Sequence, residues 1–296
     1  MVKSSKVFND KGGIDSAIVD KMVKTGICEL AQANTQENAW IKFYDPRSII
    51  GIKTNCLAGK LMSTKPQLID SIISGLVLSG MKSGNIIVWE RSSRELQRAG
   101  FTINTREKSV HYFGTDEVGY DSELVSFGKV CSLFSKIVTR HCDSLLNVPV
   151  LKDHNLAGLS GGLKNYYGAI HNPNKYHDNN CSPYVADVNS IPLIRNKNKL
   201  TIVDALNVQC NGGPAFYPEW AVKYGGIILG QDPVAVDTVA LEILNELRAG
   251  LKLPSLEQEK RYPHYLEIAG DSEHQLGHNN LENIEKKIIN LETKGV

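Results

Sequence analysis

The stretch GIILGQDPVAVDTVALEIL, residues 226–244, sets the fold class. Residues 226–229 are apolar without alternation, as a strand buried on both faces is. Gly230 and Gln231 then turn the chain. Asp232 takes the N-cap position and Pro233 the first helical position. The helix that follows carries Val234, Val236, Val239, Ala240, Ile243 and Leu244, apolar on most sides, so it packs against a sheet. Working outward, the same alternation recurs. Residues 49–54, 85–89, 145–150 and 200–205 read as apolar strands, and residues 6–8, 110–113 and 137–139 as weaker ones. Helices are expected over residues 14–33 (Ile18, Met22, Ile27, Leu30), 64–79 (Thr64 as cap, Pro66 in the first turn) and 90–100. The expected fold is α/β, a mixed and largely parallel sheet flanked by helices, with room for two lobes about a cleft. Residues 1–270 form one such domain. Leu281, Ile284, Ile288 and Leu291 recur at helical spacing, so residues 271–296 are expected to contribute a C-terminal amphipathic helix packed on it.

The 296 residues can bury a sizeable core, and 42% apolar with 22% charged residues is an ordinary globular balance. A net charge of +1 gives no electrostatic call for nucleic acid. No apolar run is long enough for a transmembrane segment. The start, MVKSSKVFND, has no apolar signal core. Cys28, Cys56, Cys131, Cys142, Cys181 and Cys210 lack CxxC spacing, which excludes a zinc ribbon or a self-contained ferredoxin run. A Walker lysine–serine pair, a dinucleotide fingerprint and a GxSxG elbow are also missing.

In α/β sheets, ligands collect beyond the carboxyl ends of the strands. Four such ends are polar: Asn55-Cys56, Glu90-Arg91, Lys152-Asp153-His154 and residues 207–213. The third opens the stretch VPVLKDHNLAGLSGGLKNYYGAIHNPNKYHDNNCSPYVAD, residues 148–187. His154 and Lys164 stand ten residues apart across Gly158, Gly161 and Gly162. Such glycines let backbone N–H groups approach an anion, and Lys164, beside Asn165, can hold a carboxylate or phosphate, or attack a carbonyl. The plainer alternative is a surface lysine on a short helix beginning near Leu159. His171, His177 and Cys181 follow on an irregular loop, a donor set suited to a transition metal or to nothing more than solvation. Cys56, Cys181 and Cys210 sit in loop-like contexts and can hold an iron–sulfur cluster if they converge; Cys131 and Cys142 read as inert core thiols. Lys53, Arg91 and Arg94 are anion clamps or solvated charges, and the turn at Ser63-Thr64-Lys65 offers free N–H groups. Asp237, in an apolar helix, needs a buried partner, for which a backbone donor suffices.

IIGIKTNCLAG, STKPQLIDSI, IIVWERSSREL, VPVLKDHNLAGLSGGLKNYYGAIH, LTIVDAL, GGP and GQDPVAVDTVALEIL, in this order, resemble the family of domain of unknown function 362. Members with the HNPNKYHDNNC type of loop are often exported by the twin-arginine route. That resemblance implies a periplasmic protein whose leader is not in this sequence, the alternative being a cytoplasmic one. A remoter similarity is to the nickel-pincer lactate racemases, in which a glycine-glycine-basic-lysine turn anchors the cofactor and a later histidine ligates nickel. Here Leu163 stands where the basic residue is usual. Three functional expectations follow. The first is a metal centre, an iron–sulfur cluster or single metal on Cys56, Cys181, Cys210, His171 and His177, with Lys53, Asn55, Gly161, Gly162, Lys164 and Asn165 holding an anionic small molecule and a redox partner to match. The second is a racemase or epimerase of 2-hydroxy acids using Lys164 and a nickel-pincer nucleotide, with His154 and His111 or His171 exchanging protons. The third is a non-enzymatic binding protein for an anionic small molecule.

Overall fold

A computed structural model describes residues 1–292. The strands are β1 (Val2–Lys3), β2 (Ile50–Lys53), β3 (Ile86–Glu90), β4 (His111–Gly114), β5 (Tyr120–Phe127), β6 (Val130–Ser135), β7 (Ser144–Asn147), β8 (Val150–His154), β9 (Gly158–Ser160), β10 (Asn198–Gln209), β11 (Ala221–Gly230) and β12 (Ile289–Asn290). Ten of them form one sheet in the order β12-β1-β11-β10-β7-β2-β3-β4, with β8 beside β10 and β9 beside β8. The run β10-β7-β2-β3-β4 is parallel throughout, and β8 also lies parallel to β10. The fold is the mixed, largely parallel α/β sheet that the apolar strands predict.

Both faces of the sheet are covered. Along β3, Ile86 and Val88 belong to one apolar cluster, and Ile87 and Trp89 to the other. Leu145 and Leu146 of β7 divide the same way. Side chains alternate along a strand, so a strand buried on both faces has no polar residue to alternate with. Helices Ser16–Ala31 and Pro66–Leu78 bury Met22, Ile27, Leu68 and Ile72 in the cluster of Ile86 and Val88, while Pro233–Gly250 buries Val234, Ala240 and Leu244 in the other. Asp232 caps Pro233–Gly250 as expected, its carboxylate accepting from the Ala235 N–H at 2.8 Å.

Several expectations are corrected. Residues 145–150 are not one strand: β7 pairs with the first part of β10, and β8 with the later part. Pro149, which has no N–H to give, sits at the break, and its carbonyl accepts from Asp204 N at 2.8 Å. Residues 137–139 belong to a π-helical turn, Ile137–His141, held by Thr139 and Arg140 on the Asp121 carboxylate. Residues 5–7 form a 3-10 turn instead of a strand. Thr64 does not cap the helix after it; its hydroxyl accepts from Asn55 N and donates to Val148 O. The short helix after Leu159 starts at Gly162, because Leu159 itself pairs in β9.

The C-terminal helix is also absent among the described residues. A 3-10 turn, Leu281–Asn283, is followed by extended chain, and β12 pairs with β1 through Ile289 N to Met1 O (2.9 Å) and Leu291 N to Lys3 O (3.0 Å). Leu281 and Ile288 stay exposed while Ile284 and Leu291 pack on different apolar clusters, so the stripe is not buried as one face, and a segment this short is marginal as a helix without one.

His274 ties the later chain down. Its Nε2 contacts Asp187 Oδ1 and its Nδ1 contacts Asp271 Oδ1, each at 2.9 Å. Burial by itself lowers this imidazole's pKa, but the two carboxylates outweigh it and the net shift is upward. A raised histidine pKa stabilises the folded state fully below the ordinary value of about 6.5, and that contribution is lost as pH rises through the folded value. We therefore expect the melting temperature of the native protein to fall more steeply than that of His274→Gln as pH rises from 6.5 upward; parallel curves would show that the tie carries no charge.

Candidate functional site

A cavity of about 620 Å³ opens at the carboxyl ends of β2, β3 and β8. Its walls include Lys53, Asn55, Arg91, His154, Lys164, Asn165 and His177 from the sequence reading, joined by Glu90, Glu95, Lys152, Ser160 and Tyr167. The size falls in the usual range for small-molecule sites, roughly 300–1,000 Å³.

β8 shows how strand geometry assigns the roles. Lys152 and His154 both line the cavity. Asp153, between them, takes Arg261 Nη1 at 2.8 Å and Arg248 Nη1 at 3.4 Å, and both guanidinium groups also meet Glu259. Alternation along the strand thus sends one residue to a buried ionic clamp and its two neighbours to the site. His154 Nδ1 accepts from the N–H groups of Leu156 (3.2 Å) and Ala157 (3.3 Å), which leaves the proton of the neutral ring on Nε2. Burial, then the positive charge of Lys164, pushes its pKa far down, so it is neutral.

At the floor, Lys53 and Glu90 form a buried ion pair at 2.5 Å. Glu90 also accepts from Cys56 N (2.9 Å) and Arg91 N (2.8 Å). Lys152, buried beside them, donates to Asn55 Oδ1 at 3.0 Å and has no carboxylate partner. Its pKa is lowered to about 8, chiefly by burial. Lys164 is likewise lowered to about 8 by burial. Its Nζ stands 3.2 Å from His177 Nε2 and 4.3 Å from the Tyr167 ring centre. His177 Nδ1 lies 3.0 Å from the Pro173 carbonyl, which can only accept, so Nδ1 holds the proton and Nε2 is the acceptor. The rings of His154 and His177 stack with centres 5.8 Å apart.

The glycine turn does something other than cradle an anion. Gly162 N and Leu163 N donate to the two oxygens of Asp237, at 2.6 and 2.9 Å. A Cβ at Gly161 would stand 2.5 Å from Asp237 Oδ1, so glycine is required there by close approach. Gly161 and Gly162 therefore serve the core, and Asp237 has the backbone partners its burial calls for. The turn at residues 63–65 is similarly occupied, since Lys65 N donates to Asp204 Oδ2 at 2.8 Å. His171 is solvent-facing against Tyr120, and His111 and Arg94 also lie away from the cavity.

The cysteines do not gather. Cys56 is buried in one apolar cluster, Cys181 and Cys210 in the other, with the sheet between the two. Among the described residues no group of three or more His, Cys, Asp or Glu side chains is placed to hold a metal ion. Burial raises the thiol pKa values of Cys56, Cys181 and Cys210, the last to about 11, so these sulfurs are protonated packing groups. Cys131, expected in the core, is exposed on β6. The sequence reading missed Glu90, Glu95, Lys152 and Tyr167 as site residues, although Glu90 and Lys152 stood in the polar strand ends it singled out.

A family model described as "Domain of unknown function (DUF362)" matches residues 50–242, more than half of the sequence. The chain belongs to this family. No curated protein matches it. Among solved structures, it is similar to a Thermotoga maritima protein, at 11% identity and TM-score 0.49, over 81% of this chain and 60% of that one. It is also similar to the lactate racemase apoprotein from Thermoanaerobacterium thermosaccharolyticum, at 14% identity and TM-score 0.46, over 77% and 55% of the two chains. The chain thus spans less than two thirds of either structure's length. No helix among the described residues is long and apolar enough to cross a membrane.

Two outcomes check the site's construction. Lys53→Met leaves Glu90 buried without its countercharge and is expected to cost about 3–5 kcal/mol in urea unfolding, as buried pairs do when one partner is removed; an unchanged midpoint would refute the pairing. In native thiol titration, Cys131 reacts first and Cys56, Cys142, Cys181 and Cys210 react only on unfolding; fast modification of any of those four would contradict the packing.

Proposed function

We propose that the cavity binds a small carboxylic acid and moves a proton on it, as a racemase or epimerase of 2-hydroxy acids must. One observation carries this reading: Lys152 and Lys164 face a shared cavity without a carboxylate partner among the described residues, beside two neutral imidazoles. Lys53 is already neutralised by Glu90, so the cations left for a ligand are Lys152, Lys164 and Arg91. An anion there replaces lost hydration with fixed donors in a sheltered site, where the attraction is stronger than in water. His154 and His177, neutral at ordinary pH, are acceptors and donors of the kind that proton transfer requires.

The cofactors named by the sequence fit less well. An iron–sulfur cluster needs thiolates that meet, and the sheet separates Cys56 from Cys181 and Cys210. For a nickel-pincer nucleotide, the glycine turn would have to hold phosphate, but Asp237 takes its N–H groups and Leu163 is wholly buried. Neither group therefore enters the proposed chemistry.

Small 2-hydroxy and 2-oxo acids should raise the melting temperature, and their neutral amides should not. Saturation at a hundred times Kd corresponds to about 2.7 kcal/mol, or roughly 5 °C for a chain of this size. Lys152→Met should weaken that binding about 10- to 100-fold, the loss of one buried charged hydrogen bond. Incubation in heavy water should place deuterium on the acid's carbon next to the carboxylate or carbonyl. If no small carboxylate shifts the melting temperature, the reading fails; binding without deuterium exchange would leave only the binding part.

A further inference from the structure

Three lysines line the cavity, and their surroundings differ. Lys53 is bound to Glu90, and Lys152 is held by the acceptors Asn55 Oδ1 and Met62 O. Among the described residues, Lys164 Nζ has a single hydrogen-bond partner, His177 Nε2, which is an acceptor with its proton on the far nitrogen. The residue is only 8% exposed, and its amine lies over an aromatic ring at the wall of a cavity large enough for a substrate. A desolvated lysine with no countercharge and a proton acceptor in contact is arranged as a nucleophile. Its pKa near 8 agrees with that placement. The rim adds a selectivity element. Leu57 and Leu156 line the mouth while remaining about half exposed, at 53% and 52%. Large apolar side chains held at the lip of a charged cavity suit a ligand with an anionic head and an apolar tail.

We propose that Lys164 forms an imine with the carbonyl carbon of a 2-oxo acid bearing an apolar side chain, the carboxylate resting on Lys152 and Arg91 and the tail on Leu57 and Leu156. This rests on the carboxylate-binding part of the reading above; the imine would activate the carbon next to the carbonyl of a 2-oxo acid and does not act on a 2-hydroxy acid. The lone pair of Nζ attacks the carbonyl carbon and forms the C–N bond. The carbonyl oxygen then leaves as water, taking two protons from the nitrogen, and no oxidant or reductant is involved. His177, in contact with Nζ, relays the proton to the departing oxygen. His177, having taken the third proton of the lysine ammonium before the attack, returns it to the imine nitrogen; the iminium so formed draws electrons from the adjacent carbon, whose proton the freed Nε2 of His177 removes and returns.

The test is reductive trapping. The native chain is incubated with 2-oxoisocaproate, pyruvate or 2-hydroxyisocaproate and sodium cyanoborohydride, then examined by intact mass and peptide mapping. One adduct is expected, with a mass gain equal to the oxo acid less one oxygen atom. It should map to Lys164 and saturate at lower concentration with 2-oxoisocaproate than with pyruvate. The hydroxy acid, lacking a carbonyl, should give none. Lys164→Arg keeps the charge and should lose the adduct; Lys152→Met should keep the adduct site but need at least ten times more acid. Mapping in the unmodified chain decides the matter even if a variant fails to fold. Thermal stabilisation by the oxo acids with no adduct at Lys164, or label scattered over surface lysines, overturns the imine and leaves the carboxylate site standing. Neither stabilisation nor adduct removes both.

Discussion

The carboxylate of Asp237, wholly buried under the glycine turn, is the constraint on which the site depends. A buried charge must be met by donors, and here two consecutive backbone N–H groups meet it. Burial still holds its pKa up, at about 6, so the donors offset only part of the cost of ionising it. The geometric consequence is larger than the energetic one. Fixing Gly162 and Leu163 to the helix Pro233–Gly250 fixes where the short helix Gly162–Asn165 begins. Lys164 and Asn165 then have one place to go, and Asn147 secures it by donating to Gly162 O at 2.7 Å while accepting from Asn165 at 2.8 Å.

The electrostatics of the cavity follow from burial with incomplete pairing. Lys53 and Glu90 cancel each other at the floor, which keeps a cation and an anion inside at tolerable cost. Lys152 and Lys164 have no such partner, so burial eases the loss of their protons, and it keeps His154 neutral. On the proposed reading, the same two lysines would meet an incoming anion as cations and, once deprotonated, act as bases. A fully paired site would be more stable and chemically inert; an exposed one would be charged and screened.

Much of the fold was legible because it is local. Unbroken apolar strands at residues 49–54, 85–89, 200–205 and 226–229, with capped helices between, leave few alternatives to a covered parallel sheet. The failures have local causes as well. Residues 279–291 have the period of a helix, but the edge of β1 offered backbone partners, and extended chain puts Ile284 and Leu291 on different apolar clusters while Leu281 and Ile288 stay exposed. Residues 137–139 are all β-branched, yet Asp121, distant in sequence, draws Arg140 and Thr139 into a turn.

The sequence by itself determined the sheet and the set of polar strand ends from which a site would be built. Only the tertiary structure decided which members meet. Cys56 and Cys181 are equally plausible donors on paper, but the loop after β2 and the 3-10 turn Asn179–Cys181 bury them in different apolar clusters, and no spacing along the chain reports that. Lys152, Asp153 and His154 are adjacent letters, yet a half-turn per residue gives the outer two to the cavity and the middle one to Arg248 and Arg261. Residue type states what a side chain can do; burial and the direction of the backbone state which of those things it does.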